Sequence, residues 1–270
     1  MTNASPSTLL VDNGSLEPAA TLGLRDLAQR LGGRISRVVE PVSLLHSSAI
    51  DPALIGGRPA EILFPALERR LATGQNEFVV VPLFFGPSRA LTDYLPENLR
   101  RLRAKFPALQ LQIAAPLHAE GDDRLARILA DHAKAEMASF PAERVIVVDH
   151  GSPVAAVTAV RNELAAQAGQ LLGARVAPAS MERRAGPEFD FCNPLLADLL
   201  AAPPCNAGRV IVAMQFLLPG RHAGPTGDVA EICRAAEAAH PALKTRMSKL
   251  VAEHPLLVEI LADRWAALRL

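Results

Sequence analysis

A chain of 270 residues, half of them apolar and 21% charged, is long and hydrophobic enough to bury one or two globular cores. Its formal net charge is zero and only 4% of its residues are aromatic, which excludes a nucleic-acid binder relying on a general basic field or on base-stacking platforms. The start carries no basic segment leading into an apolar one, no apolar run reaches membrane-spanning length, and Cys192, Cys205 and Cys233 form no CxxC pair, so the expectation is a cytoplasmic protein with reduced thiols, no membrane partner and no secretory signal.

In chain order, the first predicted strand is 9–12, running into Val11-Asp12-Asn13-Gly14-Ser15. A helix follows at 18–32, with Leu22, Leu24, Leu27, Ala28 and Leu31 as its apolar face and Gly32-Gly33 as its stop. Then come a strand at 38–42, a helix at 59–71, a continuous apolar strand at 78–85, a helix at 99–106, a short strand at 109–114 and a helix at 125–137. The second half restates the order with strands at 145–148, 175–179, 210–216 and 243–247 and helices at 157–172, 194–200, 229–239 and 256–268. Such alternation predicts an α/β fold of parallel sheets flanked by helices.

The two halves also match residue by residue. Val11-Asp12-Asn13-Gly14-Ser15 aligns with Val148-Asp149-His150-Gly151-Ser152, and Pro41-Val42-Ser43 with Pro178-Ala179-Ser180, both at an offset of 137. The run Val79 to Arg89 aligns with Ile211 to Arg221, and Ile128-Leu129-Ala130-Asp131 with Ile260-Leu261-Ala262-Asp263, both at 132. Ordered matches with one small deletion indicate an internal duplication. The reading is two similar lobes, 1–140 and 141–270, each with a sheet of about four strands.

Open parallel sheets bind ligands at the carboxyl ends of their strands. In the second half those ends carry His150, Glu182 and His222; the matched first-half positions are Asn13, Leu45 and Ala90. Two imidazoles and a carboxylate suit divalent first-row metals such as cobalt, iron, nickel or zinc, and three protein ligands leave positions open. The same groups exchange protons near neutral pH. Glu188 lies close enough in sequence to replace Glu182. The glycine and serine after each Asp-Asn or Asp-His pair are read as turn residues that start helices. A hydrolase nucleophile at Ser152 lacks the GxSxG elbow. His46, His118, His132, His240 and His254 have no matched partners and are read as loop or surface residues.

The strand-DHGS segment at 149–152, the Ala179-Ser180-Met181-Glu182-Arg183 segment and the Met214 to His222 run resemble the class II tetrapyrrole chelatases, specifically the sirohydrochlorin chelatases, over nearly the whole chain. Met214-Gln215 stands where that family usually has Pro-Leu, and the histidine pair sits in the second half, whereas many long members keep it in the first. The resemblance implies a metal-inserting lyase acting on sirohydrochlorin or a related tetrapyrrole, towards cobalamin or sirohaem. Its metal, Co²⁺ or Fe²⁺ with Ni²⁺ as a further candidate, would be a substrate, with no cofactor retained. His150 and His222 would bind the ion, Glu182 would assist, and the macrocycle would lie in a cleft between the lobes. Arg89, Arg183, Arg184 and Arg221, with Ser152, are the candidate contacts for its carboxylates. The chain would act as a monomer through its duplication or as a homodimer. The alternative is a non-catalytic tetrapyrrole or metal carrier on the same fold.

Overall fold

The computed structural model describes residues 6–268. Met1–Ser5, within the stretch where no signal is expected, lie outside it. Two four-stranded parallel sheets form, one in each half. In the first, β1 (Ser7–Asp12), β2 (Val39–Ser43), β3 (Glu77–Pro82) and β4 (Gln110–Ile113) lie in the order β2-β1-β3-β4. In the second, β5 (Arg144–Asp149), β6 (Val176–Ser180), β7 (Gly208–Met214) and β8 (Leu243–Met247) lie in the order β6-β5-β7-β8. The duplication reaches the register: Asp12 pairs with Ser43 at one strand end, and Asp149 with Ser180 at the other. Central strands are buried on both faces, as in β3, where Val79, Val80 and Val81 have no exposed surface. Each such side chain contributes about 1.5–3 kcal/mol of hydrophobic burial.

The helices are α1 (Pro18–Ile35), α2 (Leu63–Ala72), α3 (Leu95–Lys105), α4 (Arg124–Met137), α5 (Ala155–Leu172), α6 (Leu196–Ala201), α7 (Asp228–Ala239) and α8 (Leu256–Ala266). α1 runs three residues past its expected stop at Gly32, because the left-handed terminating residue is Ser36 at φ 54°, and Arg37 N–H bonds back to the Gly32 carbonyl. Leu22, expected on the apolar face, is exposed, while Leu24, Leu27, Ala28 and Leu31 are buried. The apolar run at 78–85 leaves the strand at Pro82, and a π-helical turn at Ala90–Tyr94 leads into α3, ahead of the expected start at 99.

The compact units do not follow a cut at residue 140. One runs to Ala119 and takes in the chain from Val258; the other is Glu120–Leu257. The physical reason lies in α4 and α8. Within the second unit, α4 places His132 Nδ1 3.2 Å from the Lys249 carbonyl, and its Asp131 lies 3.5 Å from His254. Within the first unit, Trp265 of α8 donates to Thr8, and Arg264 donates to the carbonyls of Pro116 and Leu117. The last helix of each sequence half therefore belongs to the compact unit of the other half. No helix among the described residues is long and apolar enough to cross a membrane.

Candidate metal-handling site

The three ligand-type residues predicted from the second half come together at the carboxyl ends of its strands. His150 follows β5, Glu182 follows β6, and His222 lies in the loop between β7 and α7. The rings of His150 and His222 are 4.6 Å apart between centroids and inclined at 70°. Glu182 Oε1 lies 3.5 Å from His150 Nε2. All three reach solvent, with side-chain exposures of 47% for His150, 60% for Glu182 and 31% for His222, so an incoming ion has access.

Local hydrogen bonds orient both rings. His150 Nδ1 is 2.9 Å from the Gly151 carbonyl, an acceptor, so this nitrogen donates. His222 Nδ1 is 2.6 Å from the Asp228 carboxylate and donates likewise. In the neutral form of either ring this leaves the lone pair on Nε2, the form that binds a metal. Asp228 is the first residue of α7, where the helix dipole favours a carboxylate. Gly227 precedes it because the chain folds tightly there: a Cβ at this position would lie 2.8 Å from the His222 carbonyl carbon. Asp228 was not among the sequence-predicted site residues; its signal is only an acid six positions after a histidine, which many sequences contain.

Gly151 has a role beyond starting a helix. It sits at φ 92°, and a Cβ there would lie 1.9 Å from the Glu182 carbonyl oxygen. Gly14 repeats this at φ 88° against the Leu45 carbonyl. The glycines thus let the chain after the first strand of each half approach the loop after the second, which brings His150 and Glu182 together. The serines behave as turn residues: Ser152 Oγ accepts from Val154 N–H, and Ser15 Oγ from Glu17 N–H.

Beneath His150 lies a buried polar cluster. Arg161 of α5 has no exposed surface and donates to Ser180 Oγ and to the Cys192 carbonyl. Ser180 Oγ donates to Asp149 Oδ1 over 2.8 Å, and Arg161 lies 3.7 Å from the same oxygen. Burial raises the Asp149 carboxyl above its ordinary value, and Arg161 pulls it back. An arginine on the largely apolar inner face of α5 is a readable signal, since its match at an offset of 137 is Leu24.

The candidate substrate contacts differ in what holds them. Arg184 and Arg221 are exposed, Arg221 lying 3.9 Å from Asp228. Arg183 is held by the Gly186 carbonyl and by Asp190 at 3.2 Å. Arg89 belongs to the first unit. Glu188 folds its carboxylate onto Gly186, which leaves Glu182 as the glutamate beside His150. Among the described residues no group of three His, Cys, Asp or Glu side chains is placed to hold a metal ion together. The arrangement is two adjacent imidazoles with a nearby carboxylate, open to solvent.

No curated protein sequence matches the chain. Solved structures do match its fold. SirB from Bacillus subtilis with Fe³⁺ superposes with a TM-score of 0.71 at 16% identity, covering 97% of this chain and 95% of that one. The sirohydrochlorin chelatase SirB from Bacillus subtilis subspecies spizizenii, in complex with cobalt, gives 0.70 at 16% identity, with coverages of 97% and 94%. A CbiX described as the terminal enzyme for biosynthesis of siroheme in denitrifying bacteria gives 0.63 at 21% identity, covering 97% and 99%. At these identities the likeness is one of fold. The CbiX family profile matches the sequence twice, over residues 7–136 and 144–268. With both repeats matched, this chain belongs to the CbiX family.

Proposed function

We propose that this protein is a metal-inserting lyase that places Co²⁺ or Fe²⁺ into sirohydrochlorin or a closely related tetrapyrrole, in the cytoplasm, on the way to cobalamin or sirohaem. The observation that carries this reading is the pairing of His150 with His222 at 4.6 Å beside Glu182, in the half whose counterpart has Asn13, Leu45 and Ala90 instead. Membership of the CbiX family and the fold shared with a cobalt-bound sirohydrochlorin chelatase support it.

In this mechanism the ion is a substrate. His150 and His222 offer it their Nε2 lone pairs, and Glu182 offers a carboxylate that offsets part of its charge. Two neutral imidazoles with a carboxylate beside them would hold a divalent ion without enclosing it, so open positions remain for pyrrole nitrogens. Insertion replaces two pyrrole N–H protons with one divalent ion, and charge balances when both protons leave. Glu182, and each imidazole once it has released the ion, accept those protons and pass them to solvent. Arg184 is exposed to macrocycle carboxylates, and Arg221 and Arg183 can reach them by exchanging their contacts with Asp228 and Asp190.

The test mixes purified protein with sirohydrochlorin and Co²⁺ or Fe²⁺ and follows the absorbance change against the uncatalysed rate. Acceleration that falls at least about 100-fold in His222→Ala supports the proposal. No acceleration with either ion overturns it, and tight binding of tetrapyrrole without acceleration identifies a carrier instead.

A further inference from the structure

The two halves of the chain share an aspartate-serine pair at their strand ends but surround it differently. In the second half, Asp149 and Ser180 are joined by the fully buried guanidinium of Arg161. One of its nitrogens also donates to the Cys192 carbonyl at 2.8 Å, and its Nε and other terminal nitrogen donate to Asn162 at 3.1 and 2.8 Å. In the first half the position matching Arg161 is Leu24. There Ser43 receives a hydrogen bond from Ser47, and Asp12 Oδ1 is buried with no partner. Both arrangements fold into the same sheet, so the arginine is not required to build the strands.

The segments that Arg161 joins are the ones that carry the site. Asp149 immediately precedes His150, and Ser180 lies two residues before Glu182. Met181 N–H bonds to the Asp149 carbonyl and Glu182 N–H to the His150 carbonyl, so a shift at either strand end is passed to both ligand-type residues. Cys192 also donates to the Ser152 carbonyl, which extends the tie to the far side of the His150 turn. The arginine occurs in the half with the imidazoles, and a leucine in the half without them.

We infer that Arg161 is a positioning residue for the metal-handling site, clamping the ends of β5 and β6 so that His150 and Glu182 stay at the spacing that receives a divalent ion. The inference rests on the chelatase reading, because it assigns Arg161 a purpose only if that site takes a metal. A planar fork suits the task, since its separate donors reach the hydroxyl, the carbonyl and the amide oxygen at once.

The test is direct Co²⁺ titration of the intact protein without tetrapyrrole, read by the visible d–d bands of the bound ion and by its dissociation constant. Folding is checked separately by circular dichroism and melting. Arg161→Leu installs the residue of the other half and should weaken Co²⁺ binding by about 10- to 100-fold and change the d–d bands in the folded protein. Arg161→Lys keeps the charge without the fork and should fall between that variant and wild type. If Arg161→Leu does not fold, Arg161→Lys decides alone, with a several-fold loss expected. Unchanged affinity and bands in a folded Arg161 variant, with His222→Ala losing Co²⁺, overturn the inference and leave the chelatase reading standing. A wild-type protein that binds no Co²⁺, or a His222→Ala variant that binds it normally, overturns the site reading and the inference with it.

Discussion

Asp12 provides a quantitative test of how the first half differs from the second. Its carboxylate accepts hydrogen bonds from Ser43 and from the Gly14 backbone, but Oδ1 has no partner and the position matching Arg161 holds Leu24. Burial therefore dominates and pushes its pKa from the ordinary 3.8 up to about 6. A raised carboxyl pKa means that the folded protein holds this proton more tightly than the unfolded chain. The resulting stabilisation is complete below pH 3.8 and is lost as pH rises through about 6. At about 1.4 kcal/mol per pH unit, the loss amounts to roughly 3 kcal/mol by pH 7. Asp12→Asn removes the titrating group. Any cost of its extra amide hydrogens is constant with pH, so the pH dependence isolates the carboxyl. Urea unfolding of both proteins from pH 4 to pH 8 should show the variant gaining on wild type by about 3 kcal/mol, mostly between pH 4 and pH 7. Stability curves that run parallel over that range would refute the reasoning.

Other substitutions probe the site and its surroundings. Asp228→Ala frees His222 Nδ1 and should weaken Co²⁺ binding by about 10- to 100-fold in a direct titration, with little change in melting temperature. Gly151→Ala places a methyl group against the Glu182 carbonyl at a positive φ, and should cost about 2–4 kcal/mol in chemical unfolding. Gln215 is buried with Oε1 unpartnered, and its first-half match is the buried Leu83. Gln215→Leu should stabilise the protein by about 1–3 kcal/mol, read in the same unfolding assay.

The amino-acid sequence by itself determined the alternation of strands and helices, the duplication, and the half in which ligand-type residues survive. These were legible because buried parallel strands need continuous apolar runs and because a repeat preserves its spacing. The contrast between Asn13, Leu45 and Ala90 and their matches His150, Glu182 and His222 needed only subtraction. Helix ends were less legible: the two glycines after Leu31 look like a stop, yet only the residue that takes the left-handed conformation ends the helix, and that is Ser36.

Tertiary structure decided what depends on contacts between distant segments. Gly151 looks like a turn residue until the Glu182 carbonyl is found against its Cα, and Asp228 looks like a helix-start acid until His222 Nδ1 is found beside it. That Glu182, and not Glu188, lies beside His150 came from where each carboxylate sits, and the division of α4 and α8 between the compact units came from the contacts that each helix makes within its unit. The physical reason is common to these cases. Sequence spacing reports periodicity along one element, whereas a metal-handling site depends on distances of a few ångströms between elements far apart in the chain.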